Sequence, residues 1–243
     1  KSLFFTEIES LDRHIYRASK GEGKLDYVSV CSPNYLHDSH IRFGLRNDCD
    51  VICEKPLVIN PDNIKYLSNL EEETGRSVST VLQLRYHDKI IALKDFYSKK
   101  KAKSSIELRY ITSRGNWYER SWKAQKSKSG GLAANIGIHF FDMLSWVFGD
   151  PKESLVTELG DKTISGELTL DRATITWTLS IDESLLPEGV LAAGGRAFRS
   201  LVIDGEEIDF SAGFTDLHTV TYQNILNGKG FGLEDALPSL ILC

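Results

Sequence analysis

Residues 49–56 read CDVICEKP, a short β-rich run that ends in a charged pair and a proline. Upstream, residues 25–31 (LDYVSVC) form a similar run that ends in breaking residues, and downstream residues 77–82 (SVSTVL) form a third. Apolar residues at helical spacing separate the three runs. Strands that alternate with helices of ten to fifteen residues are typical of βαβ units and a parallel sheet. We therefore predict an α/β fold whose first half is a Rossmann-like parallel sheet.

The second half of the chain has a different pattern. A predicted helix at 87–100 is followed by a strand at 106–112, an aromatic loop at 114–123 and a helix near 135–148. Runs rich in Thr, Val and Ile then predict strands around 152–159, 163–181 and 197–210. Successive strands with few helices between them indicate an α+β domain with a large, mainly antiparallel sheet. We place the boundary at 85/86.

Composition excludes some classes of function. The chain of 243 residues carries a net charge of −5, so it lacks the basic footprint that nucleic-acid binding requires. No uninterrupted apolar stretch approaches the ~20 residues of a membrane helix, and no signal-peptide pattern opens the chain. We expect no nucleic-acid partner and no membrane association.

The four cysteines indicate a reducing compartment. Cys49 and Cys53 lie on one predicted strand and are therefore roughly 13 Å apart. A disulfide needs Cα atoms within about 7 Å, so these two cannot pair. Their neighbours supply no zinc-binding pattern either. We expect small buried thiols and a cytoplasmic protein.

Three motifs carry a family resemblance. Glu54-Lys55-Pro56 ends a buried strand, and Gly130-Gly131 followed by residues 135–142 (NIGIHFFD) fits the pattern GG-(x)3-(D/N)-x-G-x-H-x-x-D. Residues 31–37 (CSPNYLH) are the third match. Together they resemble the Gfo/Idh/MocA oxidoreductase family over nearly the whole chain, from about residue 3 to about 235. The resemblance implies an enzyme with NAD as its cofactor.

Further stretches resemble one branch of that family, the bacterial UDP-N-acetyl-2-amino-2-deoxyglucuronate dehydrogenases. They are 32–37 (SPNYLH), 49–57 (CDVICEKPL), 110–118 (YITSRGNWY) and 213–218 (GFTDLH). Those enzymes oxidise a sugar 3-hydroxyl with NAD during synthesis of surface-polysaccharide (O-antigen) sugars. Asn135 supports the branch, because many other family members carry Asp there. The resemblance implies a UDP-sugar substrate, a homo-oligomer, and 2-oxoglutarate as a possible oxidant for cofactor recycling.

The predicted first domain departs from the family at its start. A dinucleotide-binding fold opens with a strand, a Gly-rich turn and a helix. Gly21 and Gly23 precede a strand instead, and no GxGxxG lies upstream of Lys55. We therefore interpret residues 1–85 as a truncated dinucleotide-binding domain, and we expect the 243-residue chain alone to bind NAD weakly or not at all. Residues 86–243 are the predicted substrate-binding and oligomerisation domain.

Alcohol oxidation requires a group that removes the hydroxyl proton while hydride leaves for the nicotinamide. Lys55 ends a strand at the edge where open α/β sheets bind ligands, and burial lowers a lysine pKa towards neutrality. His139 is the better candidate base, because imidazole titrates near neutral pH. Asn135 lies four residues earlier on the same predicted helix face, where it would bind substrate without relaying protons. Asp142 is one turn beyond His139. It either orients the His139 ring or is a charge on the helix surface.

The remaining candidates divide between cofactor and substrate. For the cofactor side we predict strand-end residues: Ser32, Pro33, Asn34, His37, Glu54, Lys55 and Gln83. Asn34 would equally suit a helix N-cap. Arg85, beside Gln83, is a further candidate for either ligand. For the substrate we predict Lys55, Arg114, Asn116, Tyr118, Asn135 and His139. The cations suit diphosphate and carboxylate groups, and the aromatic faces suit a sugar or base.

Two other interpretations stay open. The chain could belong to an NAD(P)-dependent dehydrogenase of a free sugar or polyol, against which the cationic aromatic segment argues. It could also be an inactive fragment or binding module, because the phosphate-binding turn is absent. Substrate competition distinguishes the first alternative, and the sequence preceding Lys1 distinguishes the second.

Overall fold

A three-stranded parallel sheet forms the first part of the protein. The structure, a computed structural model, describes residues 3–19, 23–208 and 215–243. The sheet consists of β1 (Tyr27–Val30), β2 (Asp50–Cys53) and β3 (Val78–Thr80), in that order. All pairings between these strands are parallel. The predicted Rossmann-like sheet is confirmed.

Two helices connect these strands, α2 (His37–Arg46) and α3 (Asn63–Thr74). Their apolar faces are buried against the sheet, as the spacing predicted: Ile41, Leu45, Ile64, Leu67 and Leu70. Helix α2 approaches the sheet closely, because a Cβ on Gly44 would lie 2.6 Å from Cγ2 of Val51. A helix that the sequence analysis did not predict, α1 (Ile8–Ser19), precedes β1. The helices place the β1 and β2 carboxyl ends at one edge.

A six-stranded mixed sheet forms the second part. Its order is β5-β6-β7-β4-β8-β9, and its neighbours are antiparallel except for the parallel pair of β4 and β7. The strands are β4 (Ser104–Thr112), β5 (Pro151–Leu159), β6 (Thr163–Leu170), β7 (Ala173–Ser180), β8 (Ala197–Ile203) and β9 (Glu206–Glu207). This arrangement confirms the predicted large, mainly antiparallel sheet.

The predicted bounds of several elements were wrong. The single run 163–181 is a hairpin of β6 and β7, because the chain reverses at Asp171 and Arg172 without the Gly or Pro that would have marked a turn. The run 197–210 contains β8 and β9, joined at Asp204 and Gly205, which both have positive φ. Residues 209 and 210 lie outside the described residues, as do residues 1, 2, 20–22 and 211–214, which include part of the 213–218 motif.

Helices cover the inner face of the large sheet. Helix α4 (Asp88–Tyr97) and helix α7 (Ile138–Phe148) contribute to its core, where Phe141 packs edge-on against Trp177 with ring centroids 5.2 Å apart. Three shorter helices are α5 (Asn116–Arg120), α6 (Lys126–Ser129) and α8 (Glu188–Ala192). The predicted aromatic loop at 114–123 is thus partly helical. Its helix α5 begins after Gly115, which has positive φ.

One helical run, Lys126–Phe148, is long and apolar enough by composition to cross a membrane. No such run was predicted from the sequence; it arises because a π-helical turn (Ala133–Gly137) joins α6 and α7 almost without interruption. Of its apolar window, 72% is buried inside the protein. The run is therefore a core helix that packs on the six-stranded sheet.

The last two helices return to the first sheet. Helix α10 (Leu233–Ile241) adds Leu233 and Leu240 to the core of the parallel sheet, and Ile225 of helix α9 (Leu217–Leu226) packs with Ile52. The boundary at 85/86 stays a prediction. The return of the chain brings the carboxyl ends of the parallel strands close to the helices of the large sheet.

Candidate active site

A cavity of about 160 Å³ lies where the two sheets meet. It is lined by Lys55, Gln83, Leu84, Tyr110, Arg114, Asn135, Ile136, His139, Phe140 and Arg199. The three residues predicted as catalytic, Lys55, Asn135 and His139, all face this cavity. They come from elements about eighty positions apart in the sequence, so the fold assembles them.

Lys55 follows β2 directly and points across to the second part of the protein. Its Nζ donates a hydrogen bond to the backbone carbonyl oxygen of Asn135 at 2.8 Å. Burial lowers the pKa of Lys55 to about 8, and the neighbouring Glu54 carboxylate partly opposes this shift. Lys55 is therefore mainly an ammonium at neutral pH, but one that loses its proton far more readily than an exposed lysine.

A π-helical turn at Ala133–Gly137 precedes α7 and carries Asn135. Such widened turns interrupt the regular α-helical hydrogen-bond ladder and are frequent at functional sites. Here the turn presents the Asn135 carbonyl to Lys55. Gly137 lets the turn sit tightly on the sheet, because a Cβ there would lie 2.6 Å from Cδ1 of Leu179. The turn positions both Asn135 and His139 on the cavity.

His139 is half-buried beside several cations. Burial lowers its pKa well below the ordinary value of 6.5, and the positive charges of Lys55, His218, Arg199 and Arg114 lower it further. A histidine in these surroundings is neutral at neutral pH. Its imidazole therefore has a nitrogen lone pair available to accept a proton, as the predicted role of general base requires.

The predicted substrate residues of the 114–118 segment take different positions. Arg114 lines the cavity, and its buried Nε has no hydrogen-bond partner among the described residues. Tyr118 is buried, and its hydroxyl accepts a hydrogen bond from Asn135 Nδ2 at 3.1 Å. Asn116 is exposed on α5, outside the cavity. The structure thus brings Arg114 and, through Asn135, Tyr118 to the site, but not Asn116.

The predicted cofactor residues after β1 form a tight turn. Asn34 is buried and its Nδ2 donates to the Ser129 carbonyl at 2.8 Å, so it joins the two parts of the protein and does not act as an N-cap. His37 is also buried, with both ring nitrogens engaged by backbone carbonyls. These two side chains support the turn from inside. Ser32 and Pro33 are half-buried at the strand edge and remain available to a ligand.

The cofactor-side residues after β2 and β3 lie close to the cavity. Glu54 accepts a hydrogen bond from His218 Nε2 at 3.2 Å if that histidine is protonated. Gln83 lines the cavity, and its buried Oε1 has no hydrogen-bond partner among the described residues. An unpaired buried acceptor suits a ligand N–H or O–H group. Gln83 therefore offers an acceptor to a bound ligand, and the cofactor-binding role of these strand-end residues stays a prediction.

Arg85 and Asp142 do not enter the cavity. Arg85 Nη2 lies 2.7 Å from Asp142 Oδ1, and both side chains are buried. Arg85 also donates to the Asp235 carbonyl oxygen at 2.7 Å, and its guanidinium lies 4.5 Å from the Phe231 ring centroid. Asp142 is not a surface charge, because its carboxylate is buried and pairs with Arg85. Its orienting role towards His139 stays a prediction. Arg85 ties α7 and α10 to the end of the parallel sheet.

Arg199 lines this cavity although it was not among the residues predicted from the sequence. Arg199 lies on β8 in alternation with buried Leu201 and Ile203, so it shares their face, and its guanidinium lies 5.3 Å from the Tyr110 ring centroid. A charged residue at an inward position of a strand is a signal that could have identified it. His218 was likewise given no role, although its charge acts on His139.

Comparison with known proteins agrees with this geometry. A family model described as an oxidoreductase family with an NAD-binding Rossmann fold matches residues 5–81, and the model of its C-terminal α/β domain matches residues 104–183. The chain belongs to the Gfo/Idh/MocA oxidoreductase family. The two matched stretches correspond to the two sheets of the fold. The first part is accordingly an NAD-binding Rossmann domain.

Solved structures of this family are similar over the whole chain. One is a WlbA (WbpB) dehydrogenase from Thermus thermophilus in complex with NAD and alpha-ketoglutarate, 45% identical with a TM-score of 0.95, covering 99% of this chain and 78% of that one. Another, in complex with NAD and UDP-GlcNAcA, is 43% identical with a TM-score of 0.95, covering 100% and 78%. D-glucoside 3-dehydrogenase of Escherichia coli is 30% identical over 135 residues, 53% of this chain and 37% of that relative. The chain thus spans little more than a third of such curated relatives.

Proposed function

We propose that the protein containing this chain oxidises the 3-hydroxyl of UDP-N-acetylglucosaminuronic acid with NAD. One observation carries the proposal: a lysine with a lowered pKa and a neutral histidine face one cavity, with two guanidinium groups beside them. The 43–45% identity to WlbA dehydrogenases, one of them in complex with NAD and UDP-GlcNAcA, supports the same substrate.

The reaction needs a base, a cation and an acceptor of hydride. Neutral His139 takes the proton of the sugar hydroxyl, and the Lys55 ammonium stabilises the negative charge that develops on its oxygen. NAD, when bound, supplies the nicotinamide that accepts hydride. The Asn135 carbonyl holds Lys55 in place, and the half-buried residues Ser32 and Pro33 would lie against the cofactor.

Arg114 and Arg199 suit the carboxylate of a uronic acid. Both line the cavity that contains the catalytic pair, and guanidinium groups bind carboxylates in a planar, bidentate geometry. Arg114 has a buried Nε that a ligand oxygen would satisfy. The two guanidinium groups therefore favour an acidic sugar over one with a neutral 6-hydroxymethyl group.

The same cavity suits the proposed recycling reaction. 2-Oxoglutarate also carries carboxylates beside a carbonyl, which the arginines and Lys55 could bind while NADH is reoxidised. We further propose a cytoplasmic homo-oligomer that acts in synthesis of surface-polysaccharide sugars such as those of O-antigen. The exposed apolar side chains Leu155 and Leu159 of β5 favour contact with another copy.

NADH formation by the purified full-length protein that contains this chain tests the proposal. We expect turnover with UDP-N-acetylglucosaminuronic acid, and far less with UDP-N-acetylglucosamine, which lacks the carboxylate, or with glucose or scyllo-inositol. Preference for a free sugar or inositol would replace the proposal with the polyol alternative. NAD binding without turnover of any of these compounds would favour a binding module.

A further inference from the structure

The buried ring of His37 joins the two turns that border the cofactor side of the site. His37 is 1% exposed and begins α2. Its Nδ1 lies 2.7 Å from the carbonyl oxygen of Pro56, the residue after Lys55, and its Nε2 lies 2.8 Å from the carbonyl oxygen of Ser32. One side chain therefore contacts both the turn after β1 and the turn after β2.

Both of these contacts require a donor on the ring. A backbone carbonyl oxygen only accepts hydrogen bonds, whereas a neutral imidazole has one N–H and one lone pair. If the His37 ring were neutral, one ring nitrogen and one carbonyl oxygen would meet lone pair to lone pair at hydrogen-bond distance. Two buried acceptors at this distance repel each other. An imidazolium ring, with two N–H groups, satisfies both carbonyls.

The neighbouring His40 completes a consistent network. His40 Nδ1 lies 2.9 Å from the Ser32 hydroxyl. Burial lowers the pKa of His40, and the positive charge of His37 lowers it further, so His40 is neutral. In the tautomer that carries its proton on Nε2, His40 Nδ1 accepts the Ser32 hydroxyl proton. Ser32 thus accepts through its carbonyl from His37 and donates through its hydroxyl to His40. Both ring nitrogens of His37 and both side-chain and backbone oxygens of Ser32 then have a partner.

We propose that His37 is a doubly protonated positioning residue that ties the Ser32 turn to the Lys55-Pro56 turn and thereby fixes the entry of Lys55 into the cavity. The backbone after a strand end has no ladder partner, so a buried carbonyl there needs another donor. Loss of either ring proton would leave one turn without its tether. The consequence for catalysis rests on the proposed dehydrogenase function, whereas the protonation state does not.

Nitrogen NMR of the wild-type protein labelled with ¹⁵N-histidine tests the protonation state. We expect both ring nitrogens of His37 to resonate as protonated nitrogens at neutral pH. His40 should show one protonated nitrogen and one acceptor nitrogen. A signal from an unprotonated acceptor nitrogen in His37 would overturn the proposal, and this result needs no variant and no substrate.

Two amide substitutions separate the two tethers. In His37→Asn the amide nitrogen replaces Nδ1 and retains the Pro56 contact, and in His37→Gln it replaces Nε2 and retains the Ser32 contact. The readout is the pH midpoint for acylation of Lys55, followed by mass spectrometry. We expect about 8 in the wild type and His37→Asn, and a midpoint closer to the ordinary 10.5 in His37→Gln.

Turnover gives a second readout of the same variants. His37→Gln should lower kcat by roughly ten- to a hundredfold, because a small displacement of Lys55 misaligns it, while His37→Asn should lower kcat much less. His14→Asn, which changes a histidine packed on Phe5, is the control. Equal midpoints in all variants would contradict the positioning role even if the protein proves to act on another substrate.

Discussion

The Lys55 ammonium lies 2.8 Å from the backbone carbonyl oxygen of Asn135, so the end of β2 is joined directly to the π-turn before α7. A carbonyl is a neutral acceptor, so it holds the lysine without supplying the carboxylate that would raise its pKa. Asn135 also donates through its side chain to Tyr118. This one asparagine therefore connects the lysine to the helix that follows Arg114.

Replacement of Lys55 by Met should lower the activity but raise the free energy of unfolding. We expect kcat to fall by about 10²–10⁴-fold, because the cation at the reacting oxygen is lost. The folded-state pKa of about 8 lies below the ordinary 10.5, so the fold disfavours the ammonium. At pH 7 the free energy of unfolding should therefore rise, by about 1–2 kcal/mol after loss of the Asn135 hydrogen bond.

Urea unfolding of both proteins measures this gain. The gain in the free energy of unfolding should be greatest below pH 8 and disappear as the pH rises towards 10.5. Above that pH, Lys55 is uncharged in both the folded and the unfolded wild-type protein. Lys65→Met, at an exposed lysine of α3, should change neither activity nor the pH dependence. A Lys55→Met protein less stable than wild type at pH 7 would contradict the argument.

The rate of sugar oxidation should depend on pH through Lys55. We expect kcat/KM to fall as pH rises through about 8, because the ammonium that stabilises the alkoxide loses its proton. His139 should not limit the rate near neutrality, since its pKa lies well below 6.5. A rate that increases through pH 8 would instead make neutral Lys55 the base.

Removal of the His139 imidazole should abolish proton transfer while cofactor affinity is retained. For His139→Ala we expect kcat to be about 10²–10⁴-fold lower, with NADH binding within a few-fold of wild type by fluorescence titration. His14→Ala is the matched control, because His14 lies far along the chain on α1. Comparable activity in His139→Ala and wild type would move the base to another residue.

Gly137→Ala tests the close packing of the π-turn. Alanine favours a helix over glycine by about 1 kcal/mol, but here its Cβ would lie 2.6 Å from Leu179 Cδ1 and 2.8 Å from Phe141 Cε2. Overpacking costs about 1–3 kcal/mol and should exceed the propensity gain. We expect a lower free energy of unfolding and a lower kcat.

The control for that substitution is Gly189→Ala in α8, where nothing lies within 4 Å of the added Cβ. This change should leave stability unchanged or slightly raised, and activity at the wild-type level. If Gly137→Ala behaved in the same way, the packing of the turn would not limit the position of Asn135 and His139.

Removal of one partner from the buried ion pair of Arg85 and Asp142 should strongly lower the free energy of unfolding. Arg85→Leu would leave the Asp142 carboxylate buried without a partner, and we expect a loss of about 3–5 kcal/mol in urea unfolding. Replacement of both residues by apolar ones, Arg85→Met with Asp142→Leu, should recover much of this loss. Arg42→Met, which breaks the more exposed pair with Asp38, should cost less than about 1 kcal/mol.

Much of the fold could be predicted from local pattern. The runs at 25–31, 49–53 and 77–82 correspond to three parallel strands, because continuous apolar runs and helical spacing act over a few residues. The hairpin within 163–181 was missed, since its turn lacks Gly and Pro. Helix α1 was also missed. Bounds depend on hydrogen bonds between strands, which a local pattern does not contain.

The sequence by itself determined the family motifs, the layer architecture, and the choice of Lys55, Asn135 and His139. Only the tertiary structure decided that Arg199 joins them, that Asn116 lies outside the cavity, and that Asp142 pairs with Arg85. It also turned Asn34 and His37 inwards as supports for their turn. Motifs specify residue types at fixed spacing, whereas burial, pKa and hydrogen-bond partners arise from contacts between residues far apart in the chain.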